Sequence, residues 1–520
     1  MAITSRFPIS VLRGLAGAIF LLFVFLAAVS WNRDQVFIPQ VNGEGLVVLA
    51  DGDCHARMQR AQMVLENPGI IIDAHDFENH PIGTHPHTTA PLDYLIAALA
   101  QLTPSLDIAG AWISPLLGLL AILFLVFWSR RLELQPRWPT LLLFCLSPAL
   151  THAFALGRPD HQSLLVLLTT LALTSQFAFL RSQKKRWAWM SGTAWGLALS
   201  VSWFEPIILL IGQEVARTIV LGRAAWPATW RYALLFTAGL GLSAWALEGF
   251  RGPWPDAAVL ELFPRWAPLL GELQSTGLVA MFRWTGWLLL AAPFLLAWDY
   301  FRNRDPLALI LLLLLTMVIA LTGWQARWSP WLAMTFALAL PWMLRPLGKP
   351  WIIWPVFLLS LWPVAAEWEA RLLPSEYEQE RRAENIVEAV LVRQVADFLQ
   401  SQPRGGVLAP WWISPALARQ SEQPLVGGSS HQSLPGSADT ARFFLAKDDQ
   451  TAVQILRHRR VLYVVSDAPE RVIPTSATLL GLPSPPRPLI TRLDRGPDRP
   501  AFLEPVFANP FFRVYKFEDE

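Results

Sequence analysis

The chain has 520 residues, 53% of them hydrophobic and only 16% charged, with 26 tryptophans. Soluble globular proteins carry about a quarter charged residues, so this balance excludes an ordinary soluble protein and points to one whose main solvent is a bilayer. Lys and Arg number 42 against 40 Asp and Glu, and no long basic run interrupts the chain, which argues against a nucleic-acid binder held by counterion release.

In chain order, the first apolar segment runs from Val11 to Trp31 behind Arg6 and Arg13. Ala27, Ala28 and Ser30 imitate a signal cleavage site, but the segment is long enough to cross a membrane and many more follow, so a retained anchor is expected. Further spans are expected at 109–128, 138–156, 163–180, 188–204, 205–221, 231–249, 278–298, 306–323, 328–344 and 350–366. The total is about eleven helices. The pair Glu205-Pro206 divides the stretch 188–221 into two spans, because a proline pushes the residue before it out of helical geometry. Cys145 falls in an apolar span and Cys54 in a polar loop, so no disulfide between them is expected.

Loop charges then orient the chain. Arg130, Arg131 and Arg137 share one loop, and Arg181, Lys184, Lys185 and Arg186 another. Arg217, Arg223 and Arg231, then Arg302 and Arg304, then Arg345 and Lys349 mark three more, all on the same side. Short loops rich in Lys and Arg stay cytoplasmic. The N-terminus is therefore expected in the cytoplasm of a multi-pass inner (plasma) membrane protein. The loops at 32–108, 157–162, 250–277 and 324–327, and the whole tail, are expected outside.

The chain divides at about residue 367. Residues 1–366 hold the spans, whereas 367–520 are charged, proline-rich and without a spanning segment, the pattern of a soluble domain. Helical periodicity over 376–400 puts Ile386, Val387, Val390, Leu391 and Val395 on one side, and Val461–Val465 and Phe511–Phe517 have the composition of strands. A mixed α/β domain is expected there.

Polar residues gather in the outer loops. The first cluster is Asp51-Gly52-Asp53-Cys54-His55-Ala56-Arg57, whose carboxylates are hard ligands for a divalent cation and whose arginine suits an anion. A solvated loop is the alternative. The second, Gly157-Arg158-Pro159-Asp160-His161-Gln162-Ser163, is wedged between two spans, where charges are costly unless paired or facing a wet cavity; Asp160 also suits the cap of the next helix. The third is Pro268 to Thr276 with Glu272, which by itself reads as a solvated loop carboxylate. In the fourth, Thr322 to Trp328, Arg327 either meets a lipid phosphate or snorkels to the interface. His75, His80, His85 and His87 share the first outer loop. The spacing of the last three, broken by Pro81 and Pro86, matches no familiar zinc motif, so a loop lying over a substrate groove is the plainer reading.

Taken in order, these clusters resemble the catalytic subunits of oligosaccharyltransferases, of the GT-C class of membrane glycosyltransferases. Asp51 to Arg57 is similar to that family's first-loop pattern of an aspartate followed six residues later by arginine. Asp160-His161-Gln162 resembles its second-loop acidic motif, and Gly271-Glu272-Leu273-Gln274 the S-V-S-E segment of its long outer loop. Arg327 stands where the family has an arginine on the donor's phosphates. Val407 to Pro415, followed by Pro424 to Gly428, resembles the W-W-D-Y-G region and the strand after it. Ile413 there replaces the aspartate that receives the acceptor's Ser or Thr hydroxyl, and Gln162 replaces an acidic or histidine ligand. An isoleucine accepts no hydrogen bond.

The resemblance implies a GT-C-like polytopic helical domain followed by an α/β domain. It implies a glycosyltransferase that moves a sugar or oligosaccharide from a polyprenyl-(pyro)phosphate carrier to a protein or other glycoconjugate acceptor, with inversion at the sugar carbon. Asp51, Asp160 and Glu272 would be catalytic and would surround Mg²⁺ or Mn²⁺, joined by Gln162 or Asp53. Arg327 and Arg57 would bind the donor phosphate. Trp411 and Trp412 would line an acceptor groove, or else belong to the core of the tail domain. The rival reading is a non-catalytic membrane scaffold or accessory subunit on the same fold, which Ile413 and Gln162 favour. A transporter is disfavoured, since the spans hold few charges beyond Glu205, Glu214 and Arg217 and no paired broken helices are expected.

Overall fold

A computed structural model describes residues 9–41, 44–86, 90–249, 256–494 and 499–518. Arg6, His87 and residues 250–255 of the third outer loop lie outside the described residues. Helices occupy each of the expected spans. Among the described residues, three helices can cross a bilayer by length and apolar composition, Leu106–Arg131, His161–Ser182 and Pro306–Trp324, or up to five if each of two bent pairs counts as one span. The helix Ser329–Leu344 is buried from Pro330 to Leu344. A helix apolar on every side is the kind that others surround.

Two spans expected to be straight are broken. Leu278–Thr285 and Leu288–Asn303 meet at 73°, and Pro350–Ser360 and Trp362–Leu372 at 44°. The breaks touch: Gly286 has φ +92°, a Cβ there would lie 2.5 Å from the Ser360 carbonyl oxygen, and the Trp287 N–H donates to that oxygen at 2.8 Å. Only glycine fits both the backbone angle and the close approach. The segment 138–153 is likewise two helices, Trp138–Leu146 and Pro148–Ala153, because Pro148 has no N–H to continue the ladder.

The two ends of the bundle differ. At one, Arg181 pairs with Asp305 at 2.9 Å, Arg345 bridges Asp299 and Asp305, and Arg302 donates to the Pro346 carbonyl at 3.0 Å. These are the loops whose basic residues marked them as one side. At the other end, strands β1 (Phe37–Val41) and β2 (Glu44–Val47) pair antiparallel and lead into the helix Gly52–Glu66. The Ala50 N–H donates to Gly157 O at 3.0 Å, and the Gly157 N–H to Ala111 O at 3.0 Å. Gly157 has φ +78°, and a Cβ there would come within 2.8 Å of Val36. Glycine at this position lets the loops carrying Asp51 and Asp160 lie side by side.

The tail opens with the helix Glu376–Gln400. Its buried face is Leu391, Val392, Val395, Ala396 and Leu399. Val387, expected on that face, is exposed, and Ile386 and Val390 are half-buried, so the fully packed face begins only at Leu391. Strands β3 (Gly406–Leu408), β4 (Val461–Ser466), β5 (Leu503–Ala508) and β6 (Arg513–Phe517) form one sheet of order β3-β4-β6-β5, with β3 parallel to β4 and the other pairs antiparallel. The tail is thus mixed α/β, with β4 and β6 at the expected places. Cys54 and Cys145 are both buried and unbridged.

Tail and outer loops form one packed body. The Leu425 N–H donates to Phe77 O at 3.1 Å and the His80 N–H to Leu425 O at 3.0 Å, while on the other side of that segment the Val407 N–H donates to Pro424 O and the Val426 N–H to Val407 O, both at 2.9 Å. The first outer loop therefore extends the edge of the tail sheet. Helix Ala257–Trp266 docks through Val259, Leu262 and Trp266 onto tail residues Leu434, Ala438, Ala441 and Leu480.

Candidate active site

Four loop segments meet at the end away from the basic loops. Asp51 caps the helix Gly52–Glu66, its Oδ1 accepting the Cys54 N–H at 2.9 Å. Asp160 caps His161–Ser182 and accepts the Gln162 N–H at 3.4 Å through the same kind of turn. The capping reading of Asp160 therefore holds, and its other oxygen faces Arg158. Glu272 sits in a short 3₁₀ turn, Gly271–Leu273. That turn is pinned to the fourth cluster, since the Ala326 N–H donates to Gln274 O at 2.8 Å and the Thr276 N–H to Gly323 O at 3.2 Å.

The side chains converge accordingly. Gln162 Nε2 lies 3.5 Å from Glu272 Oε2. Asp53 stands near these side chains with its own surface exposed, and desolvation by the surrounding protein first and then the charges of Asp51, Asp160 and Glu272 push its carboxyl up to about 7. Burial lifts the Glu272 carboxyl above its ordinary range; Arg327 opposes the shift and Asp160 adds to it. Desolvation acts in the same direction on Asp160, but the His161 ring, 2.6 Å from Oδ1, and Arg158 outweigh it and hold that carboxyl well below the usual range. Arg327 pairs with Glu205, a fully buried carboxylate that also accepts the Ser202 hydroxyl at 2.8 Å. Although desolvation works against it, the pairing with Glu205 and the nearby Glu272 raises the Arg327 pKa.

One residue from the second cluster, to which the sequence reading gave no role, occupies the centre. Arg158 reaches Asp51 Oδ2 with Nη1 at 3.3 Å and Asp160 Oδ2 with Nη2 at 3.2 Å. Among the described residues no three His, Cys, Asp or Glu side chains are grouped to hold a metal ion. The donor chemistry of the two aspartates explains this. Both oxygens of each already accept: Asp51 from Cys54 and Arg158, Asp160 from His161, Gln162 and Arg158. A dication on the oxygens facing Arg158 would stand about 4 Å from its charge, and at an effective dielectric of about 20 the repulsion is on the order of 8 kcal/mol. Asp51 and Asp160, as placed, do not fit a bridging Mg²⁺ or Mn²⁺.

The remaining expected site residues lie as follows. Arg57 is buried and pairs with Asp93 at 2.9 Å, which Arg60 also reaches at 3.2 Å. Trp411 stands edge-on to Trp266, ring centroids 6.0 Å apart, and so joins the tail to the loop bearing Glu272. Trp412 donates from Nε1 to Asp467 Oδ2 at 3.2 Å beneath the Arg471 guanidinium. Ile413 is buried in the tail core beside Leu417. His75 stacks on Phe77, and His85 Nδ1 lies 2.9 Å from Asp73 O.

Three participants escaped the sequence reading. Arg158 had been quoted only as part of a charged short loop, and Glu205 only as a span boundary and a rare buried charge. Glu78 carried no signal at all. It is 1% exposed and binds the tail segment Ser429-Ser430; a Cβ on Gly52 would lie 3.0 Å from Ser429, so this segment forms the wall beside Asp53.

No protein-family model matches the sequence, and no curated protein does. Solved structures do match in fold. The oligosaccharyltransferase of Archaeoglobus fulgidus, tethered to an acceptor peptide containing an NVT sequon, superposes with a TM-score of 0.65 over 88% of this chain and 69% of its own, at 15% identity. The same organism's AglB with an inhibitory peptide and dolichol-phosphate gives 0.63 over 88% and 69%, at 15% identity. The chain has the fold of the GT-C membrane glycosyltransferases. ArnT of Cupriavidus metallidurans, bound to undecaprenyl phosphate, extends the likeness to 97% of both chains with a TM-score of 0.53 and 12% identity.

Proposed function

We propose that the protein is a GT-C glycosyltransferase that takes a sugar or oligosaccharide from a polyprenyl-(pyro)phosphate carrier and transfers it, on the outer face of an inner membrane, to a protein or other glycoconjugate. The observation that carries this is the meeting of Asp51, Asp53, Asp160 and Glu272 with Arg327 in one cleft, in a fold whose relatives hold dolichol-phosphate and undecaprenyl phosphate. Arg327, held by Glu205, faces the leaving phosphate. As the bond from the sugar C1 to the phosphate oxygen breaks, its electron pair goes to that oxygen and the guanidinium stabilises the charge. The acceptor's O or N forms the new bond to C1, with inversion, and its proton passes to a carboxylate of the cleft. Asp53, with its carboxyl pushed up to about 7, suits this base role near neutral pH, with Asp51 and Glu272 orienting the acceptor. No step is assigned to Mg²⁺ or Mn²⁺.

Trp411, Trp412 and the segment Gly427-Gly428-Ser429 would form the acceptor wall, where a Cβ on Gly427 would lie 3.4 Å from Trp411 Cα. Arg57, paired with Asp93, would act on the donor phosphate through the field it contributes around Asp160. Since Ile413 offers no hydrogen bond, the acceptor is read by something other than a sequon hydroxyl.

A non-catalytic scaffold is the second reading, favoured by the pairing that neutralises Asp51 and Asp160. Intact cells with the wild-type chain or Asp51→Ala, at matched protein levels, separate the two when polyprenyl-linked sugars and surface glycoconjugates are measured by mass spectrometry. Transfer predicts that the mutant accumulates the donor and loses one glycoconjugate. Unchanged pools in both favour the scaffold.

A further inference from the structure

We propose that the Arg158 guanidinium takes the place of a divalent cation between Asp51 and Asp160, so that these two aspartates are held side by side without metal. Its two terminal nitrogens reach one carboxylate each, Nη1 to Asp51 Oδ2 and Nη2 to Asp160 Oδ2. This is the bridging task of a metal shared by two carboxylates, performed by a planar group that stays charged at any working pH. The oxygens turned away from Arg158 are occupied too, by the Cys54 N–H on Asp51 and by the His161 ring and Gln162 N–H on Asp160.

The surroundings fix the arginine in this role. Arg158 lies between Gly157, whose positive φ sets the loop against Val36, and Pro159, whose ring fixes the next turn. Its Nη1 also lies 3.1 Å from His152 Nε2. The side chain is 12% exposed, so it is held rather than swinging free. Gln162 completes the argument. A neutral amide is a weaker cation ligand than a carboxylate, and here its Nε2 faces Glu272 as a donor. Arg158 is a positioning residue on this account: it sets the geometry of Asp51, and Arg327 remains the group for the leaving phosphate. The claim about metal binding stands by itself, and only its activity arm rests on the proposed transfer.

Electron paramagnetic resonance of Mn²⁺ added to the purified full chain in detergent tests this directly. The wild type is expected to leave the free-Mn²⁺ signal unchanged at equimolar metal. Arg158→Gln is expected to remove one equivalent of the signal, which Asp51→Asn in the same chain restores. A wild-type chain that sequesters one Mn²⁺ and releases it on Asp51→Asn overturns the proposal, and so does a folded Arg158→Gln that gains no site. Should Arg158→Gln not fold, the wild-type titration against Asp51→Asn decides alone. In the activity arm, donor consumption by the wild type is expected to change less than about twofold with EDTA, whereas loss of about tenfold or more is the signature of a metal-dependent enzyme and contradicts the proposal. Absence of any transfer counts against the proposed function and leaves the Mn²⁺ result to stand for this inference.

Discussion

Ser430 donates its hydroxyl to Glu78 Oε2 at 2.8 Å, joining the tail to the first outer loop across 352 positions of sequence. The other oxygen, Oε1, accepts the Ser429 N–H at 3.2 Å. Through this carboxylate the wall beside Asp53 is fixed to the loop that also carries Asp51. Glu78→Ala is therefore expected to leave a buried N–H and hydroxyl unsatisfied, at about 1–3 kcal/mol. The readouts are a lower melting temperature and faster proteolysis near residues 427–433, with Glu78→Gln intermediate.

Arg327 depends on Glu205 for its placement. Arg327→Ala removes the charge set against the leaving phosphate, and donor turnover should fall by about 10²-fold. Glu205→Gln keeps the shape but not the charge, and is expected to lower turnover by a smaller factor, about tenfold. Steady-state donor consumption in membranes checks both; equal rates in all three chains would remove Arg327 from the mechanism.

Trp266 is 5% exposed and packs between the tail helices and Trp411. Truncating a buried tryptophan to alanine typically costs about 3–5 kcal/mol. Trp266→Ala is expected to loosen the seat of the loop bearing Glu272, seen as increased hydrogen exchange over 257–273 and 434–445 while the helices of the bundle stay protected.

The buried ring of His75 gives the outer body an acid-sensitive point. Burial first, then Arg60 and His85, lower its pKa from 6.5 to about 2. A depressed histidine pKa means that the unfolded chain takes up the proton first. The stability this group contributes is thus whole above pH 6.5 and is lost as pH falls below it, by about 1.4 kcal/mol per pH unit. Melting of the outer body should drop between pH 7 and 5, and His75→Asn should flatten that slope. An unchanged slope would assign it to other groups.

Much of this was legible in the sequence for identifiable reasons. Long apolar runs declare helices through composition, and basic loops declare which ends lie together, as the Arg181–Asp305 and Arg345–Asp305 pairs show. Asp160 stood out because a charge wedged between two apolar spans needs a reason to be there, whereas Asp51 and Glu272 were singled out by the resemblance of their loops to a known family. What stayed hidden depends on distance in space rather than spacing in sequence. Nothing local says that Arg158 will reach two aspartates, one of them more than a hundred residues upstream, or that Glu78 will be buried under a tail segment. The bends at Gly286 and Ser360 were missed for the same reason, since each break is stabilised by the other.

Release of polyprenyl-(pyro)phosphate is the most direct test of the central claim that this cleft transfers a sugar from a lipid carrier. Membranes from cells lacking the protein retain both donor and acceptor; purified wild-type chain or Asp51→Ala would be added and the free carrier followed by mass spectrometry. The account predicts that the carrier rises with time for the wild type, in step with loss of its glycosylated form, and stays at background for Asp51→Ala. No rise with the folded wild-type chain, or an equal rise with both chains, would contradict it.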